Sequence, residues 1–453
     1  MSLPSIYLAS ADYFKDALDF LSKYQWLYNY PNTHILVKDI LTNFPSDWCE
    51  YFQQLPNDEL NNLPLNSLKN SPPSLQELIN DINKLKPNLK SQDFKHEDDI
   101  FSHNCCLSNK KRHEIVILAP VIDEISKKVE ADLIVDIGSG LGYLSHHLHS
   151  KYKHKVLGIE CSKQYVAQAY KMQQKIYPHC KNEVQFADHY IDAQSAEKIT
   201  SLIKETFTDF DPKSVSLVGL HACADLSVTV LDLFSQLERV KSLVIMPCCY
   251  HRLKLKEEQD HKEYFHNFPI STVFKDIFTK ASSEYFLRRP FLRLACQQAS
   301  RNFCSMSQEE HVDHSTNLMF RCVLQLVAES ENLDIKRLKR KSTAHTSTID
   351  IEDYLNHLPS THQLKPRNSN DNQLSITDEL FLNKMREKWN EYKDKCFLLE
   401  VLTGLQASLQ NVCENVVLLD RVEYLKEKGF EARVQKITDD LVSPRCYALI
   451  ATK

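Results

Sequence analysis

Glycine is scarce in this chain, with seven in 453 residues. Three of them, Gly138, Gly140 and Gly142, alternate along one short segment, so glycine is reserved for a place where main chain must turn tightly or approach a ligand. Apolar runs of membrane length are missing too. The longest, Ile115 to Ile122, is interrupted by Pro120 and falls far short of the ~20 residues that cross a bilayer. Met1 to Ala11 has no basic segment followed by an apolar core, so no secretory signal is read there. Cys-x-x-Cys is absent among 14 cysteines, several of which lie in apolar, strand-like runs. That usage suggests free thiols in a reducing compartment, cytoplasmic or nuclear. Positive charge is not in excess either: Lys plus Arg is 55 against 60 for Asp plus Glu, a formal charge of -5. This excludes a global basic field that would steer the protein to nucleic acid, and leaves only local patches for that purpose.

What is present is the composition of a folded protein, 42% hydrophobic and 25% charged. The length predicts two or three domains. Residues 1–95 read as a helical N-terminal region: Tyr13, Phe14, Ala17, Leu18 and Leu21 recur at helical spacing, as do Trp48, Tyr51, Phe52 and Leu55. Ser91 to Asn104 reads as a polar linker, and Lys110 to Ile125 as a helix. From Leu133 short apolar runs alternate with amphipathic stretches, the signature of βαβ units and a parallel sheet. The strands expected are Leu133 to Asp136, Lys155 to Glu160, Val184 to Ala187, Ser214 to Leu220 and Ser242 to Pro247, which makes residues 96–252 a doubly wound α/β core. Residues 253–395 read as a helical insertion with a polar, mobile loop near 331–375. That loop contains the basic run Lys336, Arg337, Lys339, Arg340 and Lys341, read as a solvated loop or a nucleic-acid or nuclear-import segment. Residues 396–453 complete the core, with helices Phe397 to Leu409 and Val416 to Lys428 and strands Glu431 to Ile437 and Arg445 to Thr452.

The segment Asp136-Ile137-Gly138-Ser139-Gly140-Leu141-Gly142-Tyr143 joins the first expected strand to a helix. Its glycines allow amide groups to face a ligand at the helix N-terminus. The spacing is neither the Gly-x-Gly-x-x-Gly of dinucleotide folds nor a triphosphate loop. Asp136 would repel a pyrophosphate but can pair with the ammonium end of S-adenosylmethionine. Glu160, closing the second strand, is placed for the two ribose hydroxyls, as an acid is in nicotinamide-dinucleotide folds. Asp188, after the third strand, is the candidate for the adenine amino group. A tight turn without a ligand, or a NAD-linked enzyme, are the alternatives.

Two further segments carry reactive side chains, Gly219-Leu220-His221-Ala222-Cys223-Ala224-Asp225 and Met246-Pro247-Cys248-Cys249-Tyr250-His251. Both follow expected strands, so both belong to the sheet edge where such folds bind ligands. His221 and His251 are candidate general bases, with Cys248 and Cys249 beside them as candidate catalytic residues. The set His221, Cys223, Cys248, Cys249 and His251 also has the ligand types for zinc. Its spacings match no zinc finger and vicinal cysteines do not easily share an ion, so no metal is assigned; buried thiols and satisfied histidines are the remaining reading.

The glycine loop through Leu144-Ser145, the stretch Lys110-Lys111-Arg112-His113-Glu114, the two segments around His221 and Cys248, and Ser443-Pro444-Arg445 together resemble the methyltransferase-like protein 25 family, which includes proteins named ribosomal RNA adenine dimethylase domain-containing. The resemblance implies a class I S-adenosylmethionine-dependent methyltransferase: a Rossmann-like doubly wound sheet with a terminal antiparallel strand. The segments around His221 and Cys248 are also similar to those of tRNA 2′-O-methyltransferases, which suggests an RNA hydroxyl or ring nitrogen as acceptor. The Asn/Asp-Pro-Pro-Tyr/Phe tetrapeptide of many adenine N6 enzymes is absent. On this reading S-adenosylmethionine is the cofactor, and Lys110, Lys111 and Arg445 contact substrate. No membrane partner is expected. Protein or small-molecule methylation, and a non-catalytic scaffold of the same fold, are the competing readings.

Overall fold

The apolar runs of the middle of the chain form strands because they are buried on both faces. In the computed structural model, which describes residues 3–453 except 56, 88–106, 260–261, 282–285, 298–299, 339–349, 368–374, 439–442 and 444, β1 (Leu133–Ile137) is buried at every position. β2 (Val156–Glu160), β3 (Val184–Asp188), β4 (Val215–Cys223) and β5 (Val240–Cys248) follow, each within a few residues of the expected bounds. The helices between them, Tyr143–Tyr152, Lys163–Ile176, Ser195–Thr206 and Asp225–Gln236, take up the amphipathic stretches that alternate with the apolar runs. A short antiparallel pair, β6 (Leu255–Gln259) and β7 (Lys262–Phe265), comes next, where helix was expected. β8 (Leu333–Arg337) and β9 (His362–Pro366) form a second antiparallel pair. β10 (Glu431–Lys436) and β11 (Tyr447–Thr452) end the chain.

The seven-stranded sheet has the order β3-β2-β1-β4-β5-β11-β10. The first five are parallel, and β11 enters antiparallel to β5. This is the class I methyltransferase arrangement, with the terminal antiparallel strand expected from the resemblance. The strand order reverses between β1 and β4, and the crevice at the carboxyl ends of those two strands is where such sheets bind ligands. Aliphatic side chains of the helix Asn109–Lys128, including Ile115, Leu118 and Ile122, join Ile134, Val156, Val218 and Val244 in one core. Each such side chain contributes roughly 1.5–3 kcal/mol on burial.

The chain divides into two compact units: residues 1–19, 84–299 and 411–453, and residues 20–83 and 300–410. These cuts fall elsewhere than at 95, 252 and 395. Residues 253–299 lie in the unit of the large sheet, and a buried carboxylate shows how they are held. Asp420 accepts from the main-chain N–H groups of Ile270 and Ser271 and from the Ser271 hydroxyl, while Glu427 accepts from those of Thr272 and Val273. In the second unit, the Glu400 carboxylate accepts from His311 and His314 at 2.7 and 2.8 Å.

Two expectations are corrected. The helices expected at Phe397 to Leu409 and Val416 to Lys428 are one helix, Cys396–Glu427. The intervening segment has no Gly or Pro, Val412 and Cys413 within it are fully buried, and the Asn415 amide donates to the buried Tyr13 hydroxyl at 2.8 Å. The polar stretch 331–375 is not a loop throughout: it forms β8, the helix Ile351–Thr361 and β9, with Lys336 and Arg337 in a strand. Lys339 to Lys341, the Asn368 to Asn372 tract and the Ser91 to Asn104 linker lie outside the described residues. Among the described residues, no helix is long and apolar enough to cross a membrane.

Gly158 in β2 tests the packing beneath the loop. A Cβ there would lie 2.6 Å from the Phe186 ring and 2.8 Å from the Ser139 hydroxyl. Gly158→Ala is therefore expected to destabilise the protein by about 1–3 kcal/mol in urea unfolding, the usual cost of overpacking.

Candidate active site

The glycine segment turns where sequence placed it. Gly138, Gly140 and Gly142 have φ values of 72°, 58° and 74°. This left-handed region disfavours any residue with a Cβ. Gly142 is also pressed on the Phe186 ring, which a Cβ would overlap, whereas the space above Gly140 is open within 4 Å. The loop thus bends tightly and leaves one face clear at Gly140.

Two acids fix this bend. The Glu160 carboxylate accepts from Gly140 N–H at 3.1 Å and from Ser162 N–H at 2.9 Å, and ties the loop to the end of β2. Asp136 is 2% exposed and accepts from the Ser145 hydroxyl at 2.7 Å. Burial pushes its carboxyl up to about 7, against the Ser145 hydrogen bond and the Lys111 charge, which pull it down. Asp188 lies opposite Glu160 in the β2–β3 register, half exposed, with Lys163 at 3.6 Å. The loop, Glu160 and Asp188 therefore share one sheet edge.

The residues fit a nucleoside with a cationic amino-acid tail. The Ser139 hydroxyl is buried in the loop without a hydrogen-bond partner among the described residues, which marks a polar position left for a ligand or water. The buried Asp136 lacks a cation in direct contact among the described residues, and an ammonium group would supply one.

The neighbouring strand ends carry the second group. Glu114, from the helix Asn109–Lys128, is almost completely buried. It accepts from the Ser443 hydroxyl at 2.6 Å, faces His221 Nε2 at 3.3 Å and has Arg445 Nη1 at 3.9 Å. Burial raises its carboxyl, but hydrogen bonds from His221 and Ser443 and the charges of His221 and Arg445 hold it below the ordinary range. Lys110 is lowered by burial and by Arg445. Lys111 lies over the Tyr143 ring at 5.3 Å.

Cys223 and Cys248 are register partners at the ends of β4 and β5, with their sulfur atoms 3.0 Å apart. Cys249 has the left-handed φ of 56°, and Cys223, Cys248 and Cys249 all place Sγ within 4.8 Å of one another. That backbone conformation brings the two vicinal thiols to the same side. His251 turns elsewhere: its Nδ1 lies 3.1 Å from Cys296 Sγ, and burial and Arg293 lower its pKa.

Sequence reading found the loop, its acids and the His/Cys segments, but gave Glu114, Ser139, Ser145 and Gly158 no role of their own. Glu114 and Ser443 are 329 positions apart, and no short-range pattern joins them.

Gly140→Arg should fill the open face and abolish binding of S-adenosylmethionine in calorimetry while the protein still unfolds cooperatively. Retained affinity would remove the loop from the site. Asp136 gives a second test. Its raised pKa means that the acid is largely neutral below about pH 7, and only the carboxylate attracts an ammonium group. Affinity should rise about tenfold from about pH 5.5 to 7, with proton release on binding in that window. Asp136→Asn should flatten the profile, and a flat profile in the native protein would count against the pairing.

Residues 110–256 match a family described as a methyltransferase domain. The mouse protein named "Probable methyltransferase-like protein 25" is 26% identical over 253 residues, 54% of this chain and 38% of its own length. The human protein of that name is 27% identical over 249 residues, with the same two coverages. The match therefore spans well under half the length of these relatives. An RNA methyltransferase from Salinibacter ruber, solved with S-adenosyl-L-homocysteine, is similar at 15% identity over 31% of this chain and 83% of that one, with a TM-score of 0.20. The resemblance read from the sequence is borne out: residues 110–256 match a methyltransferase domain, and the relatives matched are named methyltransferase-like.

Proposed function

We propose that the chain moves the methyl group of S-adenosylmethionine onto a hydroxyl or ring nitrogen of RNA, with His221 removing the proton. The observation that carries this reading is the His221–Glu114 pair. His221 is one-third exposed at the end of β4, backed by a carboxylate that is 2% exposed and ionised. A buried acid behind an imidazole orients the ring and stabilises it once it takes a proton. His251 is the weaker choice, since it faces Cys296 and its pKa is lowered.

Bound S-adenosylmethionine supplies an activated methyl group on a sulfonium. The chain's own residues do the rest. Asp136 holds the ammonium end, Gly138, Gly140 and Gly142 leave room for the amino-acid tail, Glu160 receives the ribose hydroxyls and Asp188 meets the adenine amino group. Positioning of this kind accounts for much of the rate when the donor is already activated. Lys110, Lys111 and Arg445 are assigned to the acceptor's phosphates, where positive charge favours a polyanion. Cys248 and Cys249 border this mouth.

The test is transfer of tritiated methyl from S-adenosylmethionine into RNA, protein and metabolite fractions from cells lacking the protein. Label in RNA supports the reading. Label confined to protein or metabolites replaces the acceptor, and no label with no calorimetric binding points to a scaffold. His221→Ala should lower kcat by about 10²–10⁴ with cofactor affinity unchanged, as for loss of a general base; an unchanged kcat would reject that role.

A further inference from the structure

From the convergence of Cys223, Cys248 and Cys249 we infer a zinc site, made of three thiolates at the carboxyl edge of β4 and β5, with a fourth position open to the acceptor mouth. The three Sγ atoms lie within 4.8 Å of one another. Tetrahedral zinc with Zn–S bonds near 2.3 Å places sulfur atoms about 3.8 Å apart. The 3.0 Å pair Cys223–Cys248 has to open slightly and the wider separations have to close, shifts of the order of side-chain rotations.

The backbone is shaped for this convergence. Cys223 and Cys248 are level across neighbouring parallel strands, after a register shift in β4 between Gly219 and Ala222. Ala224, just past Cys223, has φ 49° and ψ -125°, and Cys249 has φ 56° and ψ 39°. Each is a conformation that L-residues with a Cβ avoid. Strain on both sides of a thiol cluster is a reason to look for a ligand that offsets it.

As its three bonds to sulfur form, zinc displaces the thiol protons to solvent. Three thiolates around a divalent ion leave one negative charge, which Arg445 and Lys110 beside it compensate. Cys223 and Cys249 are half-buried, so the site is reached from solvent. A three-ligand zinc site with an open position is the catalytic rather than the structural form. The site itself does not depend on methyl transfer; only its use as a holder of the acceptor atom rests on the function proposed above.

The experiment is metal analysis of the full-length protein, purified with reductant and without chelator, by mass spectrometry. About one zinc per chain is expected, falling to roughly a tenth or less in Cys223→Ser, Cys248→Ser and Cys249→Ser and unchanged in Cys49→Ser. Cobalt in place of zinc should give an intense thiolate-to-metal absorption in the native protein. That readout needs no variant. Calorimetry with S-adenosylmethionine on each variant separates loss of the ion from loss of the fold, and separates this site from the cofactor reading. Native protein that stays free of zinc after incubation with the ion would overturn the assignment. So would zinc retained in all three variants, iron in its place, or a Cys223–Cys248 disulfide found under reducing conditions.

Discussion

The Glu160 carboxylate holds the end of β2 and the bend after β1 in one geometry. By accepting from Gly140 and Ser162 it satisfies main-chain groups that a tight turn would otherwise leave unpaired. The turn cannot relax toward ordinary backbone, because Gly142 and Gly158 are packed on Phe186 with no room for a Cβ. Asp136 is then buried directly beneath the bend, where its charge is poorly solvated until a cation enters. Turn, packing and electrostatics are thus three aspects of one constraint, and they leave one clear face, at Gly140.

How much of this was legible in the sequence follows from the range of each interaction. β1, β2, β4 and β5 announced themselves because strands buried on both faces are near-continuous apolar runs, as Leu133-Ile134-Val135 is. The loop was legible because glycine is so rare elsewhere. The long helix Cys396–Glu427 was misread as two, since a polar segment in sequence says nothing about partners such as Tyr13 that satisfy it from 402 positions away. β6 and β7 lack the strong alternation that marks a half-buried strand, and Leu255-Lys256-Glu257-Glu258-Gln259 reads as a charged stretch.

The edge around Glu114 and His221 was less legible, because it is assembled from parts with no local signature. Glu114 comes from the helix before β1, His221 and Cys223 from β4, Cys248 and Cys249 from the end of β5, and Ser443 and Arg445 from the segment before β11. Only the topology, with β11 inserted beside β5, brings the last of these to the same edge. The antiparallel strand does more than close the sheet: it delivers a cation and a hydroxyl to a buried carboxylate.

Arg445 joins the two halves of that edge. It stands beside Glu114 on one side and Cys248 and Cys249 on the other, and its Nε group is buried without a hydrogen-bond partner among the described residues. A guanidinium with one donor unspent is poised to redistribute its hydrogen bonds as the charge around it changes. Glu114 and the two thiols thus share one side chain, and a change of charge on either side acts on the same guanidinium.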